Sequence, residues 1–297
     1  MNRTRTIKIE LLLWDPSGIR TIEFTNRKIK WIVIPRRLIH EAFEEDMLGR
    51  YGVYFLIWTS LDTEEQAILE DKIYIWQATH LKTRIKEHND KKDFWNTCIC
   101  FTTWDNSFDS SDINFLENQL IIQSLRASRY NLENKTKGNS ENISRWKKSD
   151  IEEYIEDLAI LLWTLWFPIL TPLVKTNIQW ENVDYTWWEQ KEYFLKRWSC
   201  EWRMIYTNEW FIVLKWSTWQ SMKNSWIKDG IHNRREKLIK EWIIEMIDDW
   251  RIIFLKDHLF KTPSWGWMIL SGSAINGWWE WKDINWKSLW EIENHWN

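Results

Sequence analysis

Tryptophan stands at positions where this chain is expected to turn, and this feature limits what the sequence can fold into. Trp14 lies among turn-forming residues in LLWDPSG, Trp250 follows Asp248-Asp249 between two apolar runs, and Trp286 follows Asn285. In KIYIW we predict a strand over residues 72–75 and a turn at Trp76. Such turns favour glycine, because glycine reaches positive φ without steric cost.

Composition extends this observation to the whole chain, which has 28 Trp and 8 Gly in 297 residues. An ordinary domain with about 7% glycine would have roughly 21 at this length. The excess of tryptophan therefore matches the shortage of glycine.

We hypothesise that many of these tryptophans are glycines in the living protein. The codon UGA means stop in most organisms, tryptophan in some codes and glycine in a few bacterial lineages, so the wrong translation table would produce this pattern. The alternative is a genuinely tryptophan-rich protein, which would break local folding rules at many places. Trp95, Trp281 and one of Trp278 or Trp279 look like true tryptophans.

Length and charge bound the class of protein. The chain has room for about two domains, and its net charge of −3 means that any nucleic-acid site is a local patch. Cys98 and Cys100 alternate in an apolar run and are expected to be buried thiols, which suits a reducing compartment. The start lacks a long apolar signal core, and the apolar stretch 158–170 is too short to span a bilayer. We expect a soluble cytoplasmic protein with no membrane partner.

Apolar patterning predicts an α+β protein. Residues 1–47 are predicted to form a β-rich lead-in, and residues 48–130 to alternate strands and helices. The predicted strands of the second segment cover residues 53–57, 72–75 and 97–103, with helices over 81–89 and 111–128. Residues 131–180 are predicted as a polar linker followed by a helix that opens at Ser149-Asp150. Residues 181–297 are predicted to form a second α+β domain.

Three side chains in this second segment have the pattern of a polar site. Arg84 and His88 are spaced i, i+4 and project from one helical face, although such pairs are often solvated surface residues. Glu117 falls inside the apolar stripe of its helix, where a carboxylate is costly unless it is paired or binds a cation. The alternative for Glu117 is a position at the edge of the stripe that reaches water.

The order of these residues resembles the GIY-YIG nuclease family. The two halves of its signature correspond to GVY at 52–54 and YIW at 74–76, followed by LKTRIKEH at 81–88 and Glu117. The resemblance covers residues 48–130 and implies a small three-stranded antiparallel sheet flanked by helices. On the residues alone, Tyr54 and Tyr74 would be ordinary strand tyrosines.

The resemblance implies a metal-dependent DNA endonuclease that hydrolyses phosphodiester bonds. Tyr54 would be the general base or position the water, and Tyr74 would orient water or phosphate. Arg84 would contact the phosphate, His88 would assist proton transfer or bind phosphate, and Glu117 would hold one Mg²⁺ or Mn²⁺ ion.

Two further features complete the expectations. Lys82 and Lys86 belong to a basic stripe beside the proposed site and are candidate substrate-binding residues, although charge runs are usually solvated. The C-terminal region resembles a domain of unknown function that follows GIY-YIG domains in bacterial proteins. The alternative function is a non-catalytic module that binds nucleic acid or protein and retains the nuclease fold. The sequence does not indicate an oligomeric state.

Overall fold

A computed structural model describes most of the chain. The described residues are 5–59, 71–136, 138, 143–173, 191–197, 200–206, 211–220, 229–248, 251–260 and 276–293. They fall into two compact units that divide near residue 173. Both units mix strands and helices, which confirms the α+β class. None of the described helices is long and apolar enough to cross a membrane.

The first unit is built on a seven-stranded sheet with the order β1-β2-β3-β6-β4-β5-β7. Its strands are β1 (Ile7–Leu11), β2 (Arg20–Phe24), β3 (Ile29–Pro35), β4 (Gly52–Trp58), β5 (Lys72–Ala78), β6 (Thr97–Thr103) and β7 (Asn131–Leu132). Neighbours are antiparallel except β5 and β7.

The predicted three-stranded sheet forms only part of this larger sheet. Strands β6, β4 and β5 are adjacent, but β3 pairs with β6 along seven residues, from Ile29↔Thr103 to Pro35↔Thr97. Residues 1–47 therefore contribute three strands to the same sheet. The physical reason is that β6 would otherwise leave an apolar edge unpaired.

Four helices accompany the sheet: α1 (Ile39–Ala42), α2 (Leu81–Lys91), α3 (Ser110–Ala127) and α4 (Arg145–Thr164). Helix α3 begins with a reciprocal capping box between Asp109 and Asp112. Helix α4 begins four residues before the predicted Ser149. Its first turn is tied to α3 because Lys147 forms ion pairs with Asp109 and Asp112.

The sheet is buried on both faces. One face packs on α3 and α4, through side chains such as Phe55, Ile75 and Leu116. The opposite face carries Tyr54 and Tyr74 and packs against α2 through Leu81 and other apolar residues. Strands β4 and β6 are covered on both sides, which explains their continuous apolar sequences.

The predicted buried thiols lie on this second face. Cys98 and Cys100 are free and buried in β6, with 3.6 Å between their Sγ atoms.

The second unit contains two smaller sheets. One has the order β14-β10-β9-β8 and the other β11-β13-β12. The strands are β8 (Lys191–Arg197), β9 (Cys200–Tyr206), β10 (Phe211–Val213), β11 (Thr218–Gln220), β12 (Ile244–Asp248), β13 (Arg251–Phe254) and β14 (His258–Phe260). The helices are α5 (Asp229–Lys240), α6 (Gly277–Glu280) and α7 (Leu289–Glu293). Trp202 and Trp281 stack in its core, with ring centroids 5.3 Å apart.

Backbone geometry tests the predicted turns. Among the described residues, positive φ outside glycine occurs at Leu13, Trp14, Asn106, Ser128, Trp166, Trp216, Trp242 and Trp286. The turns predicted at Trp14 and Trp286 are confirmed. The turn predicted at Trp76 is wrong, because β5 continues to Ala78 and Trp76 pairs with Tyr54 of β4. Trp250 lies outside the described residues.

Candidate active site

Tyr54 lies at the centre of the site region. It stands in the middle of β4, between Trp76 of β5 and Cys100 of β6, and its side chain is fully buried. Its hydroxyl has no hydrogen-bond partner of full geometry. Burial raises the pKa of Tyr54 far above its usual value, and the nearby charge of Arg84 opposes this shift only in part. Tyr54 is therefore a neutral phenol in the free protein.

Tyr74 stands on the same sheet face, two residues before Trp76. Its ring is contacted on three sides: Trp76 stacks on it with 5.8 Å between centroids, His88 lies at 5.3 Å, and the Lys92 ammonium is 3.6 Å from the ring centroid. Burial raises the pKa of Tyr74. The ring position is thus fixed by stacking and cation–π contacts.

Helix α2 presents Arg84 and His88 to the two tyrosines, as their i, i+4 spacing predicts. The helix begins beside the site because the His80 side chain caps it, accepting from the Thr83 backbone N–H. Arg84 forms an ion pair of 2.7 Å with Glu87. The charge of Arg84 also lowers the pKa of both Tyr54 and Tyr74, so the guanidinium lies near the two hydroxyls.

His88 is buried next to the tyrosines, with its ring centroid 5.8 Å from that of Tyr54. Neither of its ring nitrogens has a hydrogen-bond partner. Burial lowers the pKa of His88 to about 4, and the charges of Arg84 and Lys92 act in the same direction. The imidazole is therefore neutral at pH 7 and can accept a proton.

Glu117 reaches the open edge of β5 from the opposite side, on α3. It is only 3% exposed, and its Oε1 has no partner. Burial raises the pKa of Glu117 to about 7, while a hydrogen bond from the Gln77 backbone N–H opposes this shift. Gly138, at φ +74°, passes so close that a Cβ there would be 3.1 Å from Glu117 Oε1. The chain thus encloses a carboxylate that is costly to leave without a proton or a cation.

The two lysines proposed to bind substrate lie elsewhere on α2. Lys82 and Lys86 are i, i+4 neighbours, and at 100° per residue Lys82 lies about 200° around the helix from Arg84. The Lys82 ammonium donates to the Phe43 backbone carbonyl at 2.6 Å, and Lys86 is exposed. The structure therefore brings together Tyr54, Tyr74, Arg84 and His88, places Glu117 near Tyr74 alone of these four, and leaves both lysines on another flank.

Sequence reasoning missed two residues beside the site. Asn134 pairs with the Ile75 backbone, where its Oδ1 accepts from the N–H at 3.0 Å and its Nδ2 donates to the carbonyl at 2.6 Å. Asn134 thereby satisfies the β5 edge between Tyr74 and Trp76. Lys92, one turn beyond His88, places its ammonium on Tyr74. Neither position has a spacing pattern that marks it in the sequence.

A cleft of about 340 Å³ opens beside Arg84, between the end of β5 and the start of α2. Its lining residues are Trp76, Gln77, Ala78, Thr79, His80, Thr83, Arg84 and Glu87. Trp76 lines this cleft, and its indole also stacks on Tyr74. The side chain at position 76 is therefore the part of the cleft wall that contacts the tyrosine.

The metal-binding capacity of this arrangement is that of a single carboxylate. Among the described residues, no three His, Cys, Asp or Glu side chains cluster as a metal site. A magnesium ion needs few protein ligands, since it keeps several waters and shares substrate phosphate oxygens. Glu117, with one unpartnered oxygen, fits such a site.

Comparison with known proteins identifies only the second unit. Residues 193–293 match the Domain of unknown function (DUF4357). This match confirms the C-terminal resemblance but does not extend to residues 48–130, for which the comparison gives no GIY-YIG match. Neither the curated proteins nor the solved structures contain a match to the chain. The DUF4357 domain carries no assigned activity, so a functional assignment must come from the geometry of the first unit.

Proposed function

We propose that the first unit is a metal-dependent DNA endonuclease of the GIY-YIG type. The observation that supports this most is a set of buried polar atoms without hydrogen-bond partners that lie on or near the two strand tyrosines. These atoms are the Tyr54 hydroxyl, both ring nitrogens of His88 and Oε1 of Glu117. Buried polar atoms are normally satisfied, and clustered exceptions are expected where a ligand supplies the missing contacts.

Each residue of the site has a separate role in phosphodiester hydrolysis. Neutral His88, whose ring centroid is 5.8 Å from that of Tyr54, is placed to accept a hydrogen bond from a water beside Tyr54, and a bound phosphate anion would raise the pKa of His88 so that it could take the proton of that water. Tyr54, which holds its own proton in the free protein, is suited to orient that water before it loses the proton. Arg84 meets the charge that develops on the phosphate, where a planar guanidinium donates to two oxygens. Tyr74, fixed by its neighbours, shapes the wall against which the phosphate lies.

Glu117 is the residue that would hold Mg²⁺ or Mn²⁺. When bound, such an ion supplies positive charge to the phosphate and lowers the pKa of its water. A carboxyl group whose pKa is about 7 exchanges a proton for the ion near neutral pH. The buried, unpartnered oxygen is the local feature that favours this role.

The alternative is a module that binds nucleic acid or protein without cleaving it. Trp76 favours this alternative for the chain as printed, because its indole stacks on Tyr74 and narrows the cleft. The two functions differ in a measurable way. An endonuclease nicks DNA with Mg²⁺, whereas a binding module retains DNA at equal strength with or without the ion.

The test measures nicking of supercoiled plasmid with Mg²⁺ and with EDTA, together with DNA binding by gel shift. We expect Glu117→Gln to abolish nicking while leaving the fold, followed by circular dichroism, unchanged. Glu44→Gln, at an exposed glutamate outside the site, is the matched control and should nick normally. Mg²⁺-dependent nicking by the Glu117→Gln protein would refute the metal role. Binding without any nicking by the parent protein would support the alternative.

A further inference from the structure

In the part of the chain that the structure describes, five tryptophans have a backbone conformation that glycine adopts freely and tryptophan does not. Their φ angles are 57° at Trp14, 64° at Trp166, 71° at Trp216, 57° at Trp242 and 62° at Trp286. For an L residue this left-handed region crowds Cβ against the backbone, and for a bulky residue it is a genuine outlier. The five side chains are 64–95% exposed. Apart from a cation–π contact between the Lys215 ammonium and the Trp216 ring, at 4.5 Å, the exposed indoles therefore have little packing that could compensate for the strain.

Two of the five end helices at the glycine position of a Schellman motif. After α4, the Trp166 N–H donates to the Trp163 carbonyl at 3.0 Å and the Phe167 N–H donates to the Leu162 carbonyl at 2.8 Å. After α5, the Trp242 N–H donates to Ile239 at 3.0 Å and the Ile243 N–H donates to Leu238 at 2.9 Å. This pair of hydrogen bonds defines the motif, whose left-handed residue is usually glycine.

Two others stand at the glycine positions of tight turns. The Trp286 N–H donates to the Asp283 carbonyl at 3.0 Å, and Asp283 then pairs with Lys287. This is a turn followed by one left-handed residue, the place of glycine in a bulged hairpin. The Ser217 N–H donates to Leu214 at 3.2 Å. Trp216 is thus the third residue of a four-residue turn, where positive φ calls for glycine.

Four other tryptophans show the opposite behaviour, because they lie in the core. Trp31, Trp95, Trp202 and Trp281 are at most 1% exposed, and none of them has positive φ. If every tryptophan were genuine, there would be no reason for one group to be exposed with positive φ and another to be buried with ordinary φ. Two codons that are both read as tryptophan would produce these two groups.

We infer that the natural polypeptide carries glycine at Trp14, Trp166, Trp216, Trp242 and Trp286, and tryptophan at the four core positions. The source then reads UGA as glycine, and the printed residues result from translation with another code. This inference rests on backbone geometry and side-chain exposure, and it does not depend on the proposed nuclease function.

The gene and the native protein test the inference directly. We expect UGA at the five left-handed positions and UGG at the four core positions. Mass spectrometry of peptides from the source cell should find glycine at 166 and 242. UGG codons at the five positions, or tryptophan in those peptides, would overturn the inference.

A pair of variants on one helix tests the geometry independently. Trp166 and Trp146 are both exposed on α4 or its end, but only Trp166 has positive φ. We expect Trp166→Gly to raise Tm by about 2 °C, because relief of strain exceeds the entropy that glycine adds to the unfolded chain. Trp146→Gly should lower Tm by a similar amount, because glycine weakens a helix. Equal loss of Tm in both variants would contradict the assignment.

Solubility gives a readout that survives poor folding of the printed chain. Glycine at all five left-handed positions should convert the chain into a monodisperse protein in size-exclusion chromatography. The control places five glycines at exposed tryptophans without positive φ, which are Trp58, Trp104, Trp146, Trp279 and Trp290. The control protein should show no increase in the monodisperse fraction. Equal recovery from both sets would show that removal of exposed indoles, and not backbone strain, is the cause, and would overturn the inference.

Discussion

Two buried titratable residues of the site have pKa values shifted in opposite directions. The pKa of His88 is lowered by burial to about 4. Between pH 6.5 and 4 the folded state therefore binds fewer protons at this residue than the unfolded state does, and stability is lost as pH falls through this range. The pKa of Glu117 is raised by burial to about 7, so stability is lost as pH rises from 4.5 to 7. The two slopes oppose each other between pH 4.5 and 6.5.

Replacing Glu117 by a residue that does not titrate should reveal the effect of His88 on the pH dependence of stability. In Glu117→Gln, the free energy of unfolding should decrease more steeply from pH 6.5 to 4.5 than in the parent protein. Urea denaturation at a series of pH values measures this difference, and all other titrating groups are shared. Parallel profiles would show that Glu117 does not titrate in this range.

In the parent protein, Mg²⁺ should raise Tm more at pH 8 than at pH 5, because the ion competes with a proton for the Glu117 carboxylate.

Arg84 and Lys86 provide a comparison of two cations on one helix. Arg84 faces the tyrosines, whereas Lys86 is exposed on another flank. We expect Arg84→Ala to lower kcat by about two to three orders of magnitude with a smaller effect on DNA affinity, because charge on the phosphate develops mainly in the transition state. Lys86→Ala should change both by less than about threefold. Equal losses of binding and rate for Arg84→Ala would indicate only a docking contact.

The sequence predicts those strand bounds and helix faces that follow from the local spacing of apolar residues. Strand β6 is predicted with its observed bounds and β4 to within one residue at each end, because both are apolar on two faces. The i, i+4 pair on α2 and the carboxylate in the α3 stripe also follow from helical geometry. The predicted end of β5 is wrong because pairing with β4 continues through Gln77 and Ala78. Asn134 and Lys92 depend on tertiary contacts that no spacing reveals.

A substitution at Trp76 should affect the stability of strand β5 and the nicking rate in opposite directions. Because residue 76 lies inside β5 without positive φ, the backbone does not require glycine there, and Trp76→Gly should cost about 1 kcal/mol of stability. It should nevertheless raise the nicking rate by about tenfold or more, because the indole no longer narrows the cleft beside Tyr74. A plasmid assay with Mg²⁺ measures the rate.

Trp58→Gly is the matched control for this substitution. Trp58 ends the same β4–β5 pair, opposite Lys72, and is 39% exposed. It should lower stability in a similar way without changing the rate. A rate that rises equally in both variants would show that loosening of the sheet, and not opening of the cleft, is responsible.

The segment that resembles a nuclease family is part of a larger compact unit of the molecule. It begins at residue 48, yet residues before this point supply three strands of the same sheet and fully buried side chains such as Trp31 and Val33. Their attachment is also electrostatic. Asp157 of α4 is buried between Arg5 at 2.7 Å and Arg27 at 3.1 Å. The sequence could not reveal this, because both partners are more than 100 residues away.

Removing the first 47 residues should therefore abolish the folded first unit. The deletion exposes the whole β6 edge to solvent, and long apolar edges pair with other chains. It also leaves Asp157 buried without its cations, which is strongly destabilising. We expect the shortened protein, made with glycine at the four left-handed tryptophan positions that it retains, to elute as aggregates in size-exclusion chromatography. The full chain with the same substitutions should elute as a defined species. A shortened protein that is monodisperse and still nicks plasmid DNA would show that strands β1 to β3 are accessory, and that the sheet core is complete with β4, β5 and β6.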